Sequence, residues 1–278
     1  MKIPFRFLLA AAAIATGLTP AHADTPACGD VVKATLSRAY PTAQPSTDGR
    51  QLLLDGNITI DLAANGFSTP HGVACKIWPA QPDLMLVAVP LIDTKQSGDG
   101  QNFGDIELLV VDAKTGEIRQ RLRQPGLMAD DAVAISQIDL DTAAYRLKSD
   151  VLAFGLRIDM RNGSQIVQYS ETTLRLYAII GGELRAVLDG IVVSMERGEN
   201  EGGCTVEDES NVVTLSMDGT VRNGFRGIIA TQRHGVDRSH PDKDGECITK
   251  PGRKSSRVFS MSYDGKQYAA PKALKPDE

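Results

Sequence analysis

The chain has 278 residues, 42% of them hydrophobic, with 30 basic and 35 acidic side chains. That is enough apolar content for a real core, and the negative balance removes the electrostatic footprint that nucleic acid requires. Only 5% of residues are aromatic, which speaks against an aromatic-lined sugar cleft.

Lys2 and Arg6 precede an apolar run from Phe7 to Leu18, and Ala21-His22-Ala23 follows with small-x-small spacing. This pattern is that of a secretory signal peptide over residues 1–23, too short to persist as a membrane span. The expectation is an exported protein, periplasmic or secreted, comprising one β-rich domain over residues 24–278, with a weak subdivision near 145–150. Without Lys2 and Arg6 the exported chain keeps 28 basic against 35 acidic residues, a net charge near −7. No later run is long and apolar enough to span a bilayer.

Export also decides the state of the cysteines. Cys28, Cys75, Cys204 and Cys247 would meet an oxidising compartment, where thiols pair. Four cysteines allow three pairings. Cys28–Cys75 with Cys204–Cys247 is the expected set, because each pair then stays within its own half of the chain. No C-x-x-C spacing suggests a redox or zinc role.

The first expected element is a helix in which Asp30 can cap and Val32, Leu36 and Ala39 form a stripe, before Pro41 ends it. After it the texture is short Val-, Ile- and Leu-rich runs between turn residues, which predicts strands. These are Gln51–Leu54, Asn57–Leu62, Leu84–Ile92, Ile106–Asp112, Glu117–Arg123, Ala132–Leu140 and Val151–Met160. They continue with Thr173–Ile180, Glu183–Leu188, Ile191–Met195, Val212–Met217, Gly227–Gln232 and Arg257–Tyr263. Asp55-Gly56, Thr115-Gly116, Gly181-Gly182, Asp218-Gly219 and Asp264-Gly265 are placed as tight turns that need positive φ.

Leu109–Ile118 resembles the hairpin of many β-propeller blades, a likeness of ten residues that also fits a sandwich. The turn spacing is uneven where a propeller would keep a steadier period. The fold class is therefore all-β, an antiparallel β-sandwich-like or irregular β-propeller-like domain with one short N-terminal helix, the spacing favouring the sandwich.

Three polar stretches, 94–104, 196–210 and 233–253, read as loops. Loops on a rigid β scaffold commonly carry function. The second is acidic, with Glu196, Glu199, Glu201, Glu207, Asp208 and Glu209 around Cys204. A Cys204–Cys247 bond would join it to the third as one surface. Such a surface could dock a cationic protein or envelope component by charge complementarity, whereas an uncommitted charge run is simply a solvated segment.

Motifs for chemistry are sparse. Asp242-Lys243-Asp244-Gly245-Glu246 has the D-x-D-G core of a calcium loop, but His240 and Pro251 stand where an EF-hand needs ligands. The expectation is no cofactor, with calcium on Asp242, Asp244 and Glu246 as the alternative, and Asp99, Asp105 and Glu107 as a second carboxylate group. His71, Cys75, His234 and His240 are the only soft zinc ligands, at unsuitable spacing. G-x-S-x-G is absent. Asp130, Asp131, Asp139 and Asp141 are the remaining acids near strands. The functional expectation is a non-enzymatic exported binding protein of the inhibitor, immunity or envelope-interaction kind, acting through residues 196–210 and 233–253. The alternative is an envelope-polymer hydrolase using scattered carboxylates or His234 and His240.

Overall fold

The computed structural model describes residues 29–98, 100–164, 166–200 and 204–276. The signal segment and Cys28 lie outside them, as do Asp99 and Glu201. Helix α1 (Gly29–Ala39) is where the apolar stripe places it, with Val32, Thr35, Leu36 and Ala39 buried. Asp30 sits in its first turn, where a carboxylate favours the helix dipole.

Among the described residues fourteen strands form two seven-stranded sheets. The first contains β1 (Gln44–Pro45), β2 (Gln51–Leu54), β3 (Ile58–Ala64), β4 (Gly72–Ile77), β5 (Leu84–Asp93), β6 (Phe103–Asp112) and β7 (Ile118–Ala129), ordered as in the chain, with β3 pairing β5 as well. The second contains β8 (Val133–Lys148), β9 (Val151–Asn162), β10 (Val167–Ile180), β11 (Glu183–Asn200), β12 (Val206–Arg222), β13 (Phe225–Pro241) and β14 (Cys247–Met261). It is an antiparallel meander, each strand pairing its chain neighbours. Of the two architectures the sequence allows, this is the sandwich-like one. The chain passes from one sheet to the other at residues 130–132, and residues 145–150 fall at the β8–β9 hairpin.

Strands β5 and β6 are buried on both faces, which explains their unbroken apolar runs. On one face Leu86, Ile106, Leu108 and Val110 pack with Trp78 against Ile138, Leu140, Phe154, Leu156 and Tyr177 of the second sheet. Trp78 meets Phe154 edge-on at 5.4 Å between ring centroids, and each such large side chain contributes roughly 1.5–3 kcal/mol on burial. On the other face Val87, Val89, Leu109 and Val111 pack against Val32, Leu36 and Ala39 of α1. A third core lies within the second sheet, where Leu174, Leu176, Val187, Ile191, Ile228 and Ala230 meet Tyr263, Tyr268 and Leu274 of the C-terminal segment.

The propeller-like segment Leu109–Ile118 is the β6–β7 hairpin, and α1 rests on its turn. Thr35 donates to Gly116 O at 3.2 Å, and Arg38 to Thr115 O at 2.5 Å. A Cβ on Gly116 would lie 2.8 Å from both Thr35 Oγ1 and Val31 O, so the close approach requires glycine there. The helix is also latched at its end. Arg121 donates to Glu107 through Nε (2.7 Å) and Nη2 (2.9 Å) and to Ala39 O (3.1 Å), while the Tyr40 hydroxyl donates to the same carboxylate.

Three sequence expectations need correction. Residues 196–210 and 233–253 are polar but are not loops. They are mostly the outer halves of β11 to β14, where cross-strand pairing specifies strand without any apolar alternation. Asp218-Gly219 is not a hairpin turn, because pairing resumes at Val221↔Arg226 after a register shift. The turn lies at Asn223-Gly224, whose φ of 52° and 79° give the two positive values of a type I′ hairpin. Glu183–Leu188 and Ile191–Met195 are one strand, bent near Gly190 where the register slips.

Candidate binding surface

The outer half of the second sheet is where the sequence-selected residues converge. An 18-residue strand spans roughly 60 Å at the usual rise, and β11 has 18 residues. Its outer part therefore extends past the cores and meets solvent on both faces. Cys204 and Cys247 are bonded with Cα atoms 5.5 Å apart, tying the β11–β12 connection to the first residue of β14. The two polar stretches thus form one composite surface. Cys75 is oxidised too, and its expected partner Cys28 lies outside the described residues.

Adjacent strands place the charges in rows. Val167, Glu199, Glu207, Arg238 and Lys250 are successive partners across β10 to β14, and Tyr169, Arg197, Glu209 and Val236 form the next row on the same face. Of the six acids singled out in the sequence, Glu199, Glu207 and Glu209 have cationic or imidazole partners. Arg197 Nη2 donates to Glu199 at 2.8 Å, Arg238 Nε to Glu207 at 2.6 Å, and His234 Nε2 lies 2.9 Å from Glu209. The hydrogen bond from Arg238 to Glu207 raises the guanidinium pKa further. These groups are substantially exposed, so water screens each pair and its contribution to stability is small. A shallow depression of about 620 Å³ opens among Arg197, Glu207, Arg238 and His240. The opposite face has one of about 590 Å³ over Gly198, bordered by Arg161, Glu196, Asp208 and Asp237.

Charge is distributed unevenly over this surface. Strand β14 carries Lys250, Arg253, Lys254 and Arg257 and no acid, and every residue from Cys247 to Val258 is exposed. Among the described residues none of these four cations has an anionic partner within 4 Å. Glu199, Glu207 and Glu209 on the inner strands are compensated, whereas the four cations stand uncompensated at the edge. The sequence reading split this strip, with Lys250 and Arg253 in a stretch read as loop and Arg257 opening an expected strand, although the run Lys250-Pro251-Gly252-Arg253-Lys254 and the absence of acids to Met261 are visible in the sequence.

The metal candidates have local roles. Asp242–Glu246 is the β13–β14 turn, in which Asp242 Oδ1 accepts from the N–H of Asp244 and of Glu246, both at 2.9 Å. Asp105 accepts from Arg123 (2.5 Å) and Gly126 N (2.8 Å), and Glu107 belongs to the α1 latch. Among the described residues no three His, Cys, Asp or Glu side chains converge as ligands. His71 and Asp130 meet between the sheets, with Nε2 2.7 Å from Oδ2 but off the line of a hydrogen bond. Asp130 is buried and also accepts from Asn102 (2.9 Å) and Ile135 N (2.8 Å). Burial pushes its pKa up, but His71 and these donors outweigh that and hold it below the usual carboxylate range. Asp139 lies 3.8 Å from Lys76, and Asp141 takes Arg157 and Tyr145 at 2.7–2.9 Å. Asp131 accepts from Gln101 at 3.0 Å. His234 has Glu209 as its side-chain partner, and among the described residues no side-chain hydrogen bond joins it to its cross-strand neighbour Ser255.

No described helix is long and apolar enough to cross a membrane. The fold and surface define a disulfide-bonded, two-sheet all-β protein with a charged sheet extension. Compared with protein-family models, curated proteins and solved structures, the chain matches none.

Proposed function

We propose that this chain is an exported, non-enzymatic binding protein that recognises another macromolecule through the outer half of its second sheet. The observation that carries the reading is that extension itself. Strands β11 to β14 run past the cores with both faces open, and a disulfide fixes their ends. A protein needs no such platform for its own core, since single exposed strands gain little by folding alone. Glu199, Glu207 and Glu209 are partnered by Arg197, Arg238 and His234 and are not set against a nucleophile, which favours recognition over hydrolysis. Export rests on the N-terminal sequence pattern.

The test is cross-linking capture from an envelope extract with the purified protein as bait, followed by mapping of cross-linked residues. Contacts concentrated at 196–210 and 233–258 support the reading. Contacts confined to the first sheet, or hydrolysis of an envelope polymer abolished by His234→Ala, overturn it.

A further inference from the structure

We infer that β14 is a docking edge for an acidic, extended polypeptide segment, which adds to the second sheet as a further strand. This rests on the binding reading above and names the partner's chemistry.

Strand β14 ends the sheet, so among the described residues no strand pairs with its outward N–H and C=O groups. From Lys254 to Met261 it runs in continuous register with β13. Ahead of that stretch the edge is closed to pairing. Pro251 has no N–H to offer a further strand, and the register with β13 slips between Pro251 and Lys254. The usable edge is therefore Lys254–Met261, with bulged Arg253 at its mouth. Successive side chains point to opposite faces, so Lys254 and Arg257 stand on different faces of the edge.

Self-pairing is disfavoured, because a second β14 lying antiparallel would bring like charges opposite or diagonal to one another. An incoming antiparallel strand with glutamate or aspartate at two positions three residues apart would meet Arg257 on one face and Lys254 on the other. Arg253 would receive a third acid beyond them. Val258, 65% exposed, supplies an apolar contact just past Arg257. Main-chain bonds would give the affinity and the charges the selection, which is the division of labour in strand addition.

The experiment uses the purified, oxidised protein and an eight-residue peptide of Thr and Val with two glutamates three positions apart, read by fluorescence anisotropy. The expected result is saturable binding that a lysine-for-glutamate peptide lacks. Lys254→Glu with Arg257→Glu should weaken it roughly tenfold or more, since each cross-strand pair turns from attractive to repulsive. Methylating alternate peptide nitrogens should abolish it. A variant control, Arg185→Glu, leaves binding unchanged, and circular dichroism verifies that each variant folds. Equal binding of the methylated peptide, or of anionic lipid vesicles and oligonucleotides with the same dependence on Lys254 and Arg257, overturns strand addition in favour of a general polyanion surface. No peptide binding together with captured cross-links at 196–210 would sink the edge assignment while leaving the binding reading in place.

Discussion

Replacing Arg121 by methionine removes the charge that compensates Glu107 while keeping most of the side-chain volume. The two partners differ in exposure, with 45% of the arginine side chain open to water and 5% of the glutamate. Losing the arginine therefore strands a buried carboxylate, whereas losing the carboxylate frees an arginine that water can solvate. Removing one partner of a fully buried pair costs about 3–5 kcal/mol. Here the Tyr40 hydroxyl still donates to Glu107, so Arg121→Met should cost about 2–4 kcal/mol. Glu107→Gln keeps an acceptor for Tyr40 and should cost about 1–2 kcal/mol. The double variant should cost less than the sum, because the stranded charge is gone. At roughly 2–4 °C per kcal/mol for a chain of this size, Arg121→Met should lower Tm by about 4–16 °C. Urea denaturation followed by circular dichroism under oxidising conditions measures all three. A Glu107→Gln cost equal to or above that of Arg121→Met, or strict additivity, would refute the latch.

Gly116→Ala meets both a left-handed φ of 68° and two oxygens at 2.8 Å, and should cost about 2–3 kcal/mol. Gly56→Ala, at φ 79° with open space around it, should cost only about 1 kcal/mol; the same denaturation series compares them. The Cys204–Cys247 bond closes a separation of 43 residues, worth at most about 4 kcal/mol in the chain-entropy account. Cys204→Ser with Cys247→Ser should show most of its effect as faster amide exchange in 196–210 and 234–250, with the two-sheet core still protected. Asp130 and Asp141 both have lowered folded-state pKa values, hydrogen bonds outweighing burial. Their stabilisation is present above the ordinary aspartate range near pH 4 and is lost as pH falls below it. A plot of unfolding free energy against pH should therefore drop on the acid side, and Asp130→Asn should flatten that drop. Tyr268, pushed up to about 12 by burial, predicts a second decline above about pH 10, where unfolded tyrosines ionise first.

The inner fold was legible because packing wrote it into residue types. Leu84–Ile92 and Ile106–Asp112 read as strands since both faces are covered, and Val32, Leu36 and Ala39 betrayed a helix since one face is. The outer halves of β11 to β14 were illegible as strands for the same reason in reverse. With water on both faces, Glu196–Asn200 and Arg233–Ser239 carry no alternation, and only pairing with neighbours makes them extended. Asn223-Gly224 was a readable hairpin signal that Asp218-Gly219, five residues earlier, displaced. The Cys204–Cys247 bond that the sequence predicted does join the two polar stretches. The internal pairing of Glu199, Glu207 and Glu209 was not legible, because it depends on register that brings Arg238 beside Glu207 across 31 residues of chain.

The meander of the second sheet has a consequence for how the chain assembles. From β8 to β14 every pairing joins consecutive strands, so each loop to be closed is short and the entropic barrier to each step is small. This sheet can grow one hairpin at a time, with β13 as its temporary border until β14 arrives. The first sheet cannot, because β3 also pairs β5, and α1 waits for a turn some eighty residues downstream. A kinetic experiment should therefore find the C-terminal half acquiring protected amides before α1 docks, the reverse of the order in which the ribosome delivers them.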